Sequence, residues 1–382
     1  MHKFFKRNKK LFVILLVLVG VLILGKILIV GFKYSPVLFQ LVFNKEVSLK
    51  KSNNNINILL LGIGGGKHDG PNLSDTIIFA SINQTNNKIT LVSIPRDFWV
   101  PDLDAKINTA YATGEEKRKG GGLLLSKAVV SKIVGQSIDY ALRVDFAGFV
   151  KAVDMVEGLD IEVDNTLNDY VYPVEGKEDA SCGNTEEEIA SFSATLATAS
   201  ATVSAEEETA LFFPCRYQYI HFGKGPNHLN GIEALQFVRS RHALGAEGTD
   251  FARSIRQQKV IKAFKDKVFS IGTLLNPAKV LGLYSILESS IDTDIKQEEF
   301  DDFIRLAQEL RTADIKSTVL DFGDLATGRE GLLVNPVPSK DYNFAWVLIP
   351  RIGAGNFSEI QKYVACEITI GNCKITPTST SK

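Results

Sequence analysis

The chain has 382 residues, of which 45% are hydrophobic, 23% charged and 9% aromatic. These are ordinary globular values, and they exclude a wholly disordered, collagen-like or coiled-coil chain. The formal net charge is −1, but five Lys and Arg residues lie in the first ten positions, which leaves −6 for the rest. A weakly acidic body argues against a nucleic-acid binder, which needs a basic face.

A long apolar run follows the basic start. Residues 11–30 are apolar except for Lys26, and about 20 such residues can cross a bilayer core as a helix. The preceding cations predict a cytoplasmic N-terminus. We therefore predict a cytoplasmic segment at 1–10, a single transmembrane helix at 11–32, and a main domain outside the plasma membrane. The alternative is a cleaved signal peptide, although no clear small-x-small cleavage site precedes Lys33.

Beyond a polar linker at 33–55, strand patterns alternate with helical ones. Residues 56–63, 75–83, 89–94, 140–146 and 159–163 have strand-like character, and residues 123–134 and 147–156 have helical spacing. Two strands joined by the short polar turn QTNNK suggest a hairpin. The alternation predicts a layered α/β or α+β domain.

An acidic, low-complexity segment at 175–212 interrupts this pattern. It carries the triplets Glu186–Glu188 and Glu206–Glu208 around an Ala/Ser/Thr-rich stretch, and we expect a mobile, partly helical insertion. The triplets are candidate metal ligands or, more simply, a solvated face. Of three possible cysteine connectivities, sequential pairing is the simplest, Cys182–Cys215 and Cys366–Cys373.

Helical patterns dominate the second half. Residues 229–241 predict a helix with Asn230 as its N-cap and Glu233 completing a capping box. Residues 250–268 predict another helix, and 274–311 a helical stretch with a polar break at 292–294. After residue 326 we expect turns, a strand-like FAWVLI and a disordered tail.

Three short motifs carry possible chemistry. The glycine-rich turn LGIGGGKHDG lacks the spacing of a P-loop and equally fits a plain flexible turn. The segments SDT, at 74–76, and SIPRD, at 93–97, lie at strand ends, which places Asp75, Arg96 and Asp97 on a rim. The two aspartates are candidates for Mg²⁺ ligation or general-base work, with turn or cap residues as the alternative.

The densest cluster of cations lies at 239–257. Arg239 and Arg241 share a side only if the chain leaves the helix there, whereas Arg253 and Gln257 stack one turn apart. Guanidinium groups match phosphate oxygens and stabilise charge on a transferring phosphoryl group. The alternative is a set of surface ion pairs.

Together and in order, NILLLGI, SDTIIFASIN, SIPRDFWV, KINTAY, HFGKGPNHLNGIEALQFVRSRH and DFARSIRQQ resemble the LytR-CpsA-Psr family of cell-envelope phosphotransferases. The resemblance implies an α/β domain at 56–325, with α-β-α layers, a mixed central sheet and an apolar lipid tunnel. The insertion at 175–212 and a C-terminal extension at 326–382 lie outside the pattern. The resemblance also implies a membrane-anchored enzyme with Mg²⁺ as cofactor. Such an enzyme moves a glycan from a polyprenyl-pyrophosphate carrier to peptidoglycan or another envelope acceptor.

By motif, the resemblance assigns the pyrophosphate contacts to Arg96, Arg239, Arg241, Arg253 and Gln257. Asp75 would hold Mg²⁺ or activate the acceptor. The chain departs from the pattern in two places, because glycines 64–66 replace a usual Asp and Leu73 replaces a usual Arg. Asp69 or His68 could substitute for the Asp. These departures keep open a hydrolase of the same pyrophosphate, or a binding module without turnover.

Overall fold

The computed structural model describes residues 47–66, 70–198, 205–268, 270–274, 276, 279, 282–283, 285–286, 290–324 and 329–375. The predicted cytoplasmic segment and transmembrane helix lie outside these residues, as do His68 and Asp69. Within the described part, no helix combines the length and the apolar character that crossing a membrane requires. Residues 47–49 and 295–308 form a small unit, and the other described residues form the main unit.

A six-stranded mixed sheet is the centre of the main unit. Its strands are β1 (Ile56–Ile63), β2 (Ser74–Asn83), β3 (Lys88–Ser93), β6 (Tyr140–Asp145), β11 (Ile291–Thr293) and β12 (Asp314–Val319), in the order β11-β6-β1-β2-β3-β12. β1 is parallel to β6, and β3 is parallel to β12, while β2 and β11 run antiparallel to their neighbours. The carboxyl ends of β1, β3, β6 and β12 therefore meet at one edge, where β2 begins.

Smaller ladders flank this sheet. Their strands are β4 (Trp99–Val100), β5 (Ala105–Lys106), β7 (Leu159–Val163), β8 (Leu167–Pro173), β9 (Tyr217–Phe222), β10 (Gly225–Leu229), β13 (Gly323–Asp324), β14 (Arg329–Glu330), β15 (Leu333–Val334) and β16 (Ile349–Pro350). The helices are α1 (Ala110–Lys117), α2 (Gly122–Val134), α3 (Phe146–Met155), α4 (Glu186–Thr198), α5 (Ala205–Phe212), α6 (Gly231–Arg239), α7 (Asp250–Val268), α8 (Ile271–Leu274), α9 (Phe300–Glu309) and α10 (Ser358–Thr369).

Helices cover both faces of the sheet. Ile77 and Val92 pack into a core shared with α1, α2 and α10. Their chain neighbours Thr76 and Ser93 accept hydrogen bonds from α7. Because successive strand residues point to opposite faces, α7 lies on the face opposite to that core. The predicted α/β fold with a mixed central sheet is confirmed, with a helical layer on each side.

A second apolar core lies on the α7 side. It joins α3, α6 and α7 to the ladders β7–β10 and β8–β9 through buried residues such as Val153, Phe222, Phe237 and Val260. Helix α6 begins as predicted, because Asn230 accepts a hydrogen bond from the Glu233 amide while the Glu233 side chain accepts one from the Asn230 amide.

Three expectations from the pattern change in the structure. The predicted polar break at 292–294 overlaps strand β11, which pairs with β6, and its aspartates accept hydrogen bonds from Tyr111 and from the Ala141 amide. FAWVLI is strand-like only at its end: Leu348 forms a β-bridge with Phe98 and Ile349 pairs with Val334, whereas Phe344 has a left-handed φ of 56°. Residues 358–369, which the sequence analysis left unassigned, form α10. This helix packs Ile360, Val364 and Ile368 into the core.

The insertion leaves at β8 and returns at β9, which are paired to each other. Its described parts are helical at α4 and α5. Disulfide bonds join Cys182 to Cys215 and Cys366 to Cys373, which is the sequential pairing.

Candidate active site

A cavity of about 820 Å³ opens at the carboxyl edge of the sheet. One wall is the sheet, from Asp75 to Ile77 and from Ser93 to Arg96, and the facing wall is the first half of α7. Apolar side chains such as Ile94, Val163 and Phe237 line the interior, while Asp75, Arg96, Arg253 and Gln257 supply polar groups. The cavity therefore suits a ligand with an apolar part and an anionic part.

Asp75 and Arg96 form an ion pair in the cavity wall. Arg96 Nη1 lies 2.6 Å from Asp75 Oδ1, and each side chain is 27% exposed. Arg96 follows β3 at the turn that Pro95 imposes, because the residue before proline avoids helical geometry and proline has no amide hydrogen. Asp97 lies 3.5 Å from Arg96 Nε and accepts a 2.7 Å bond from Lys106. Four alternating charges thus form a network at the rim.

Helix α7 is fixed to the sheet by two adjacent glutamines. Gln257 Nε2 donates to Thr76 Oγ1 at 3.0 Å, and Gln258 Nε2 donates to Ser93 Oγ at 3.1 Å and to the Thr318 carbonyl at 3.2 Å. Arg253, one turn before Gln257, is 8% exposed. These bonds set the width of the cavity between α7 and the sheet.

Arg239 and Arg241 lie in a different place from the other predicted pyrophosphate ligands, outside the described lining of the cavity. The chain leaves α6 at Ser240, where ψ is 130°, as required for the two arginines to share a side. The guanidinium of Arg239 lies over Phe146, 4.3 Å from its centroid. Fully buried Asp169 holds the turn by accepting hydrogen bonds from Ser240 Oγ at 2.7 Å and from the His242 amide at 3.3 Å.

Arg256, part of the same cluster in the sequence, binds protein groups on three sides. It donates to the carbonyls of Phe237, Ser240 and Glu247 at 2.9, 2.6 and 2.7 Å, and to Glu247 Oε2 at 3.0 Å. Burial lowers the pKa of Arg256, against the opposing effect of Glu247. This arginine connects α7 to the end of α6 and so fixes the turn that carries Arg239 and Arg241.

The glycine-rich turn folds against β6. The Gly65 amide donates to the Pro71 carbonyl at 2.8 Å, and a Cβ at Gly65 would lie 2.7 Å from Asp145 Cβ. Asp145 caps α3 by accepting from the Gly148 amide at 2.7 Å. The close approach explains why glycine occupies this part of the turn. Asp69, the predicted substitute for the usual Asp, lies outside the described residues.

A second polar group, which the sequence analysis missed, lies at the same edge. Tyr111 donates to Asp292 at 2.8 Å and accepts from Arg143 Nε at 3.3 Å. Burial and the bond to Asp292 raise the pKa of Tyr111 to about 12. The signal available in the sequence was LRVDF, with Arg143 and Asp145 at the end of a strand.

The described residues contain no cluster of three or more His, Cys, Asp or Glu side chains that could hold a metal alone. Mg²⁺ commonly binds one or two carboxylates and completes its shell with water and substrate phosphates. The second carboxylate oxygen of Asp75 accepts no hydrogen bond from the described residues. Asp75 thus fits a site that an anionic substrate completes.

The family model described as the LytR_cpsA_psr family matches residues 38–332. A protein of Bacillus cereus named polyisoprenyl-teichoic acid--peptidoglycan teichoic acid transferase TagU is 30% identical over 68% of this chain and 66% of its own length. The protein of the same name from Bacillus cereus strain AH820 is 28% identical over 77% of this chain and 82% of its own length.

Among solved structures, a protein of Streptococcus agalactiae has the same fold, with a TM-score of 0.53 at 20% identity. The similarity covers 82% of this chain and 88% of that protein. The fold is therefore shared with a protein that has little sequence in common.

Proposed function

Because this chain is a member of the LytR-CpsA-Psr family, we propose that it transfers a glycan polymer from a polyprenyl-pyrophosphate carrier to peptidoglycan or another envelope acceptor. The named relatives are transferases, and family membership makes the chain a transferase. The observation that carries the proposal is the cavity, whose apolar interior adjoins Asp75, Arg96 and Arg253.

The proposed donor suits both parts of this cavity. Its polyprenyl chain fills the space among Val163, Phe237 and Ile255 and is driven there by burial of apolar surface. Its pyrophosphate lies at Arg96 and Arg253, whose guanidinium groups match phosphate oxygens. Arg239 and Arg241 supply further cations from the turn after α6, on the glycan side.

The proposed reaction is a single phosphoryl transfer. The acceptor hydroxyl oxygen bonds to the phosphorus nearest the glycan, the bond from that phosphorus to the bridging oxygen breaks, and polyprenyl phosphate leaves. Arg96 and Arg253 stabilise the charge that develops on the phosphate oxygens. Asp75 holds the acceptor hydroxyl and takes its proton, or holds Mg²⁺. When bound, Mg²⁺ would add positive charge at the pyrophosphate.

We also propose that residues 11–32 anchor the protein in the plasma membrane, with the N-terminus inside and the main domain outside. Two disulfides support an oxidising compartment. The test is protease digestion of intact and of lysed spheroplasts, with antibodies against tags at both ends. Digestion of the main domain in intact spheroplasts is expected, and its protection would overturn the orientation.

The transfer is tested with the full chain in detergent, a polyprenyl-pyrophosphate oligosaccharide, Mg²⁺ and peptidoglycan fragments. Mass spectrometry is expected to detect a phosphodiester-linked conjugate. Arg96→Ala and Arg253→Ala should lower its rate on the order of 10²- to 10³-fold. Arg118→Ala is the matched control, because Arg118 is an exposed arginine at the end of α1.

The products separate the competing functions. Free glycan phosphate with no conjugate would mean that water is the acceptor and the chain is a hydrolase. Donor binding without any product would indicate a binding module. An unchanged rate in Arg96→Ala and Arg253→Ala would contradict the assignment of the cavity as the site.

A further inference from the structure

Three ring side chains lie side by side on the outer surface of the β8–β9 ladder: Tyr170, Tyr219 and His221, called here the aromatic patch. The Tyr170 and Tyr219 rings stack with centroids 4.6 Å apart and planes 26° apart. Tyr219 and His221 lie 6.2 Å apart at 30°. Tyr170 is 59% exposed and Tyr219 is 51% exposed, so the patch presents aromatic surface to solvent.

Asn168 holds the patch in place. Its Oδ1 accepts from the Tyr219 hydroxyl at 2.8 Å and lies 2.7 Å from His221 Nδ1. Asn168 is also the cross-strand partner of His221. The Tyr219 and His221 rings are therefore held before any ligand arrives, which reduces the entropy lost on binding.

The chemistry of the patch suits a sugar ring. Aromatic side chains with polar tips favour ligands that are apolar on one side and hydrated on the other, and a pyranose has a C–H face edged by hydroxyls. A stable protein interface buries about 800 Å² on each partner. The exposed parts of two tyrosines and one histidine cannot supply that area, whereas one or two sugar rings need far less.

The patch is joined to the arginine turn. Asp169, between Asn168 and Tyr170, forms a β-bridge with Ala243, and the Leu244 amide donates to the Asn168 carbonyl at 2.9 Å. This turn begins after Arg239 and leads towards Glu247 in the cavity lining. A glycan that extends from the cavity past these arginines thus has aromatic surface on the strand bonded to the same turn.

We propose that Tyr170 and Tyr219 form a saccharide-binding subsite for hexopyranose or N-acetylhexosamine rings. The inference rests on the proposed function for the origin of the ligand. Both the donor glycan and the peptidoglycan strand carry such rings, so the experiment has one arm for each source.

Binding is measured with the full chain in detergent. The acceptor arm uses a tetrasaccharide of N-acetylglucosamine, observed by saturation-transfer NMR. The donor arm compares polyprenyl-pyrophosphate oligosaccharide with polyprenyl pyrophosphate that lacks the glycan. The variants are Tyr170→Ala/Tyr219→Ala and Tyr170→Phe/Tyr219→Phe, which keeps the rings. Phe344→Ala is the control, because Phe344 is 72% exposed on a different loop.

The double alanine variant should lose on the order of tenfold in affinity for the tetrasaccharide or for the glycan-bearing donor. Its affinity for the glycan-free lipid should stay unchanged, and the phenylalanine variant should retain most of the binding. The probe that is affected identifies the source. The proposal would be overturned if the double alanine variant bound both sugar probes as tightly as the unmodified chain does. Failure of the unmodified chain to bind either probe, or the same loss of affinity in Phe344→Ala, would also overturn it.

The two proposals fail separately. Ring-dependent saccharide binding without any transfer product would leave the subsite standing and contradict the transferase reaction. Normal transfer together with normal sugar affinity in the double alanine variant would contradict the subsite and leave the transferase reaction standing.

Discussion

At the scale of single residues, the Asp75 carboxylate competes with an incoming anion for the guanidinium of Arg96. A phosphate that approaches Arg96 has to share the guanidinium with a carboxylate oxygen 2.6 Å away. A cation at Asp75 would relieve this competition, because it would neutralise the carboxylate and release the guanidinium. The pair therefore couples anion affinity to whatever occupies Asp75.

The charge at Asp75 should weaken pyrophosphate binding when divalent metal is absent. Asp75→Asn in EDTA is expected to bind inorganic pyrophosphate about 1.4- to fivefold more tightly, since a partly exposed pair is worth about 0.2–1 kcal/mol. Titration calorimetry measures the change. Asp102→Asn is the control, because Asp102 is an exposed aspartate paired with Lys132. Weaker binding by Asp75→Asn in EDTA would contradict this coupling.

Tyr111 should ionise well above the usual tyrosine pKa of about 10. Its pKa is raised to about 12 by burial and by the bond to Asp292. Absorbance at 295 nm during an alkaline titration should show a late step that Tyr111→Phe removes. A raised folded-state pKa stabilises the fold below the usual value near 10, and the contribution is lost as pH rises towards 12. A titration of Tyr111→Phe that matches the unmodified chain would disprove the assignment.

Among the elements, α7 forms one wall of the cavity and is held from two directions. Gln257 and Gln258 connect it to the sheet, and Arg256 connects it to the end of α6. The sequence placed Arg253, Arg256 and Gln257 in one cluster because they share chain position and chemistry. It could not reveal that backbone carbonyls hold the Arg256 guanidinium, since that depends on how α6 packs against α7.

Loss of the Arg256 connection should destabilise the main unit. Arg256→Met leaves Glu247 Oε2 and three carbonyls without this donor, and breaking a buried pair costs about 3–5 kcal/mol. Urea unfolding followed by circular dichroism measures the free energy of unfolding. Arg118→Met should change it by less than about 0.5 kcal/mol. A loss below about 1 kcal/mol in Arg256→Met would mean that the connection contributes little to stability.

At the scale of the whole molecule, segments that are far apart in the sequence build one core. The strands β1, β2 and β3 could be predicted because apolar runs bounded by turn residues are local signals. Helix α10 was missed because turn residues dominate 326–357, although Ile360, Val364 and Ile368 have helical spacing. Its partner surface on α2 comes from residues more than 200 positions earlier, which no local pattern reveals.

The chain after residue 325 should be essential for folding. A chain that ends at residue 325 removes the buried side chains of Leu332, Leu348, Phe357, Ile360 and Val364 from the core. We expect an aggregated product or the loss of a cooperative thermal transition. Ending the chain at residue 375 is the control, since it removes only residues that follow the described part. A cooperative transition in the shorter chain, within a few degrees of the control, would rule out this role.

The insertion between β8 and β9 has a consequence for engineering. Its two stems are neighbouring strands in one ladder, and the Cys182–Cys215 bond closes the base. A segment of different length that replaced residues 183–214 would thus begin and end at the two cysteines, whose bond keeps these points in place. This position should accept a fluorescent domain or an affinity tag without moving the sheet, and so offers a handle for following the protein in living cells.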